Sequence, residues 1–143
     1  MSRYLQIKVE DIYVLLPALQ VHEVTQSDAL VIQADAHVVW RDQVIALVDL
    51  GQKLDRPHCA RRSYGVVYSL GDEGHVPVML QVDEVLGLRS PLARDMRALP
   101  RLRAETAAWL EGLWLEPPSG ERHSYFLRHP VRVALTEPAN TDN

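Results

Sequence analysis

Apolar and β-branched side chains recur along this chain in short bursts separated by charged or turn-forming residues. Tyr4, Leu5, Ile7 and Val9, followed by Ile12 to Leu16, are interrupted only by Glu10-Asp11, which predicts an opening hairpin that Pro17 ends. Leu19 to Val24 has too few apolar positions to set a period and reads as a turn or short helix. Val31-Ile32 suggests a brief strand. Val38-Val39-Trp40 then leads through Arg41-Asp42-Gln43 into Val44 to Val48, the clearest hairpin in the sequence.

Residues 44–48 are all apolar, so periodicity alone does not separate a buried helix from a strand buried on both faces; the valine and isoleucine content favours the strand. Asp49 is placed to cap a single helical turn ending at Leu54. Asp55 to Ser63, with Pro57 and three arginines, reads as an exposed connection. Tyr64 to Leu70 and Val76 to Val82 flank Gly71-Asp72-Glu73-Gly74-His75 and predict a second hairpin. Arg89 to Arg103, interrupted by Pro91 and Pro100, reads as a solvated connector. Ala104 to Leu115 permits either a helix or a strand. Pro117-Pro118-Ser119-Gly120 is a turn, Tyr125 to Leu127 and Val131 to Leu135 are candidates for a terminal sheet, and Thr136 to Asn143 is expected to fray. Short strands joined by turn-rich connections predict a mainly β domain over residues 1–135 with a flexible tail at 136–143. Barrels are favoured because closure removes exposed edges.

Composition narrows the partners more than the fold. With 143 residues and 47% hydrophobic content the chain has enough apolar material for one core. Fifteen basic against nineteen acidic residues leave a net charge of −4, which disfavours broad capture of nucleic acid or anionic membrane. The lone Cys59 has no partner for an internal disulfide, and Arg3, Lys8, Glu10 and Asp11 break up any secretory leader. These features point to a reducing cytoplasm. The longest apolar runs are far shorter than the roughly 18 residues of a membrane helix, so direct membrane insertion is not expected.

Candidate chemistry is sparse. A phosphate-cradling glycine loop, a dinucleotide fingerprint and a nucleophile elbow are all absent from the sequence. The six histidines are scattered rather than paired on a helical face, and no metal site is expected. His58-Cys59 has the residue types of a base and nucleophile, although an ordinary surface-loop thiol explains it equally simply. Asp83-Glu84 has the types of an acid and base pair, but adjacent carboxylates at a strand end usually face water or satisfy a turn. The arginines from Arg89 to Arg103 allow a solvated loop, a protein contact or a phosphate grip, and Asp95 and Glu105 dilute their field. Trp40, Trp109 and Trp114 read as core or interface anchors.

Three elements, taken together, resemble a known family. The segment Val39-Trp40-Arg41-Asp42-Gln43-Val44-Ile45-Ala46-Leu47-Val48-Asp49-Leu50 is similar to the Asn-Leu-Arg-Gly-x-Val-Ile-Pro-Val-Val-Asp-Leu signature of the CheW coupling proteins of bacterial chemotaxis. Upstream, Ile12 to Pro17 followed by Val21-His22-Glu23-Val24 looks like the family's opening strand and its Val-x-Glu element. Downstream, Val82-Asp83-Glu84-Val85-Leu86-Gly87 resembles its Val-Asp-x-Val segment. Val39, Asp42, Ala46 and Met79 depart from the family's usual Asn, Gly, Pro and Gly, the stretch between Val24 and Val39 is short, and Pro130 stands where a closing helix is usual. The chain therefore resembles a divergent member.

The resemblance implies two intertwined five-stranded SH3-like β-barrel subdomains with few short helices, no catalysis and no cofactor. It implies an adaptor that couples the cytoplasmic tip of a methyl-accepting chemoreceptor to a CheA-type histidine kinase, with Val21, Glu23 and Arg41 at protein-binding positions. For Glu23 and Arg41 an internal salt bridge that only shapes the subdomains is the competing reading. Two other functions compete with chemotaxis coupling: an adaptor for an array controlling type IV pili, surface motility or a second messenger, and a small β-barrel ligand-binding domain or enzyme. A nucleic-acid-binding barrel would rest on the 89–103 arginines and fits the acidic net charge least.

Overall fold

A computed structural model describes residues 2–33, 36–59, 61–70 and 76–128. The opening hairpin forms as expected: β1 (Tyr4–Val9) pairs antiparallel with β2 (Ile12–Pro17), leaving Glu10-Asp11 as a two-residue turn. β3 (Val21–Gln26), β4 (Val31–Gln33), β5 (His37–Trp40), β6 (Gln43–Asp49), β7 (Tyr64–Leu70) and β8 (Val76–Val82) follow. The chain then returns through β9 (Glu84–Arg89), β10 (Met96–Arg97), β11 (Leu110–Leu115) and β12 (His123–Leu127). The helices are single turns, α1 (Leu50–Lys53) and α2 (Ala104–Ala107).

These strands make two curled six-stranded sheets, ordered β10-β11-β12-β2-β1-β9 and β3-β7-β8-β6-β5-β4. The mainly β, SH3-like description holds, with each barrel carrying one short strand, β10 or β4, beside five others. The whole second sheet is inserted between β2 and β9 of the first, and this is what intertwines the subdomains. Their strands alternate between two interiors, as a period of two requires. Leu5, Ile7 and Val9 of β1, Val14 and Leu16 of β2, Val66, Tyr68 and Leu70 of β7, and Val78, Leu80 and Val82 of β8 meet in one shared core with Trp109 and Leu127. The intervening residues fill each barrel separately: Leu15, Trp114 and Phe126 in the first, Val38, Ile45, Val67 and Met79 in the second. Strands with both faces covered explain the largely apolar runs at 64–70 and 76–82, broken by the buried Ser69 and Gln81.

Several local expectations are revised. Val21 to Val24 is a strand, and only Ala18–Gln20 makes a 3-10 turn. The strand was masked because its half-buried alternation runs through Val21, Glu23 and Thr25, only one of them apolar. The 104–115 ambiguity resolves as both elements in succession, α2 and then β11. Asp83 does stand at the end of β8, but there is no long connection after it: the chain bends there and continues at once as β9. Tyr125 to Leu127 lies in β12, which pairs antiparallel with β11 and parallel with β2. The 71–75 turn, the Val131 to Leu135 strand, Pro130 and the 136–143 tail lie outside the described residues, although β7 and β8 pair antiparallel as their hairpin requires.

Candidate surface for protein recognition

The β5–β6 hairpin closes through a two-residue turn, with Trp40 paired to Gln43 and both Arg41 (φ 50°) and Asp42 (φ 63°) in the left-handed region. Positive φ at both central residues is the geometry that matches the twist of the flanking strands. It projects Arg41 outward, leaving its side chain 67% exposed. Glu23 reaches this turn from β3, the edge strand separated from β6 by β7 and β8. Its Oε1 accepts from Trp40 Nε1 at 3.1 Å and from Arg41 Nη2 at 3.2 Å. The Arg41 guanidinium also lies over the Trp40 ring, 4.9 Å from its centroid. Side chains thus link β3, at one edge of the second sheet, to the turn beside β5, the strand next to its other edge.

Two of the three sequence-predicted residues are therefore brought together. Val21 lies two residues before Glu23 on β3, opposite Tyr68 of β7, and is half-buried against the shared core. Val24 and Val44 are also exposed, but each lies on the strand face opposite to Glu23 or Trp40, away from the pair. The internal salt bridge anticipated for Glu23 and Arg41 exists, but at this exposure it contributes at most about 1 kcal/mol. His22 Nε2 and Ser69 Oγ are hydrogen-bonded on the adjoining strands, and the His22 ring is tilted toward Trp40.

A second polar cluster joins the two barrels, and sequence reasoning missed its centre. Arg62, assigned from sequence to an exposed connection, is 3% exposed. Its Nε donates to Asp49 Oδ1 at 2.7 Å, Nη1 to Glu10 Oε2 at 2.8 Å and to Asp83 Oδ2 at 3.1 Å, and Nη2 to the Pro57 carbonyl at 3.0 Å. One guanidinium thereby ties the β1–β2 turn of the first barrel to the β6 end of the second and to the β8–β9 junction between them. Asp49 caps α1 as expected, accepting from the Gln52 N–H at 3.3 Å, and also accepts from the Cys59 N–H at 2.8 Å. Burial alone would raise the Asp49 pKa, but hydrogen bonds from Arg62, Cys59 and Gln52 outweigh it and hold the carboxyl below its ordinary range. Gly51 makes room for this arrangement, because a Cβ there would lie 2.5 Å from Arg62 Nη2 and 2.7 Å from Val9 Cγ1. No local pattern in the sequence marks Arg62: it lies in a stretch of little apolar content, and the Asp49 carboxylate that it pairs with is 13 residues away.

The residue types considered for chemistry are occupied structurally. His58 Nδ1 lies 3.3 Å from Asp49 Oδ2, and the Cys59 thiol donates to the Arg61 carbonyl. Asp83 accepts from the Glu10 N–H at 2.6 Å as well as from Arg62, and Glu84 pairs with Lys8. Trp109 and Trp114 are buried while Trp40 is half-buried. An open cleft of about 770 Å³ on the first barrel has charged walls already paired, Arg56 with Asp11 and Arg122 with Glu116. No helix among the described residues is long and apolar enough to cross a membrane.

A family model for the CheW-like domain matches residues 3–123. No curated protein matches the sequence. Among solved structures, the chain is similar to the scaffolding protein TtCheW from Thermoanaerobacter tengcongensis, with a TM-score of 0.72 at 14% identity over 90% of this chain and 90% of that one. At that identity the structural likeness bears on the fold, whereas the family model spans most of the sequence, including both the Glu23–Trp40–Arg41 cluster and the Arg62 junction. The chain belongs to the CheW-like domain family.

Proposed function

We propose that this protein is a non-catalytic cytoplasmic adaptor that couples the cytoplasmic tip of a methyl-accepting chemoreceptor to a CheA-type histidine kinase. The observation that carries this reading is the exposed Glu23–Arg41 pair, presented by β3 and the β5–β6 turn in a chain of this family. Arg41 and Glu23 supply polar recognition, and Val21 supports the strand that presents Glu23. Coupling then follows from holding receptor and kinase together at high effective concentration. Residues 1–135 act as the working domain. Affinity capture of the tagged chain from its native cytoplasm, with mass spectrometry of what is retained, tests the assignment. Recovery of a histidine kinase and a chemoreceptor is expected. Recovery of neither, at expression levels where both are present, would refute it.

A further inference from the structure

The connector 88–97 carries three arginines and one aspartate in a chain whose net charge is −4, and its chemistry is not used by the surface around Arg41. Arg89, Arg94 and Arg97 pair with no carboxylate among the described residues; Arg89 donates to the Leu88 carbonyl, and Arg97 donates to the carbonyls of Arg94 and Met96. Leu88, Leu92 and Met96 are 47%, 39% and 37% exposed. Leu92 and Met96 flank the single 3-10 turn of Ala93–Asp95, so apolar and guanidinium groups alternate around one tight bend.

Topology adds a second observation. β9 and β10 are the two ends of the first sheet, and both belong to this stretch of chain. No main-chain pairing joins their outer edges among the described residues, so the bend between them forms an open seam of the sheet there.

We propose that this seam docks an acidic segment of a partner protein, one that carries large apolar side chains between its carboxylates. Guanidinium forks match carboxylates in bidentate geometry, and every cation here is arginine rather than lysine. The exposed leucines and methionine need an apolar counterpart, which a purely anionic ligand lacks. Nucleic acid fits less well because residues 88–97 contain no aromatic side chain for stacking a base. A lipid surface fits less well because the segment is a strand, a turn and a strand rather than an amphipathic helix.

A ¹⁵N heteronuclear titration of the full chain tests this with a peptide alternating glutamate and leucine. Matched probes are a glutamate-glycine peptide of the same charge, a lysine-leucine peptide, a single-stranded oligonucleotide and phosphatidylserine vesicles. Saturable shifts confined to residues 84–97 are expected with the glutamate-leucine peptide. Binding should weaken at least about tenfold in the Arg94→Glu/Arg97→Glu variant and several-fold in Leu92→Ser/Met96→Ser. Both variants alter only exposed side chains, and their amide spectra report directly whether the fold is kept. The proposal is overturned by absent or dispersed shifts, by equal affinity for the glutamate-glycine peptide, or by tighter binding of the oligonucleotide or vesicles.

Discussion

Replacing Arg62 by methionine leaves the Asp49 carboxylate buried with only the partly exposed His58 imidazole as a possible countercharge. Breaking a buried pair in this way costs about 3–5 kcal/mol, and urea unfolding of Arg62→Met should show a loss of that size. Arg62→Lys should recover only part, since an ammonium does not reproduce a fork that spans acceptors on four residues. The same carboxylate makes stability depend on acid. Because the folded pKa of Asp49 lies below its ordinary value of 3.8, the unfolded chain takes up the proton first. The stabilisation is therefore complete above the ordinary value and is lost as pH falls through the folded one. Thermal unfolding followed from about pH 6 to about pH 2 should show this decline, and Asp49→Asn should flatten it. Arg41 behaves oppositely, since it is exposed and its ion pair is weak. Arg41→Glu, which places a second carboxylate beside Glu23, should abolish retention of partner in a pull-down while leaving the circular dichroism spectrum unchanged. Unchanged retention would remove Arg41 from the site.

Among the elements, the departures from the family's usual residues mark where compensation was needed. Asp42 occupies a left-handed turn position at φ 63°, which aspartate tolerates but glycine adopts without strain. Asp42→Gly should raise stability by about 1 kcal/mol or less in chemical denaturation. Met79 fills the interior of the second barrel with Val38, Ile45 and Val67, and its thioether lies over Gly65, where a Cβ would come within 2.6 Å of the sulfur. A large residue at one position is thus accommodated by a glycine on the neighbouring strand. Gly51→Ala is harder to absorb because Arg62 is pinned on several sides, and a loss of about 1–3 kcal/mol is expected. The hairpins were legible because turn residues interrupt their apolar bursts. β3 was not legible, because an edge strand with glutamate and threonine at its half-buried positions hides its period. Nor was the burial of Arg62, because the charge that requires it sits 13 residues away at Asp49.

At the scale of the whole molecule, the alternation of short apolar runs pointed to barrels, and the resemblance supplied their number and intertwining. What neither supplied was the junction: a buried arginine joining turns from both barrels, beside a core drawn from both sheets. Of the three site residues expected, Glu23 and Arg41 meet directly, a contact that spacing along the chain does not reveal because β7 and β8 lie between β3 and β6 in a sheet that curls. The adaptor account depends on this molecule holding two others together. Size-exclusion chromatography of purified receptor-tip fragment and histidine kinase, with and without the chain, tests that claim most directly. The account predicts that receptor and kinase co-elute only when the chain is present; separate elution of all three components would contradict it.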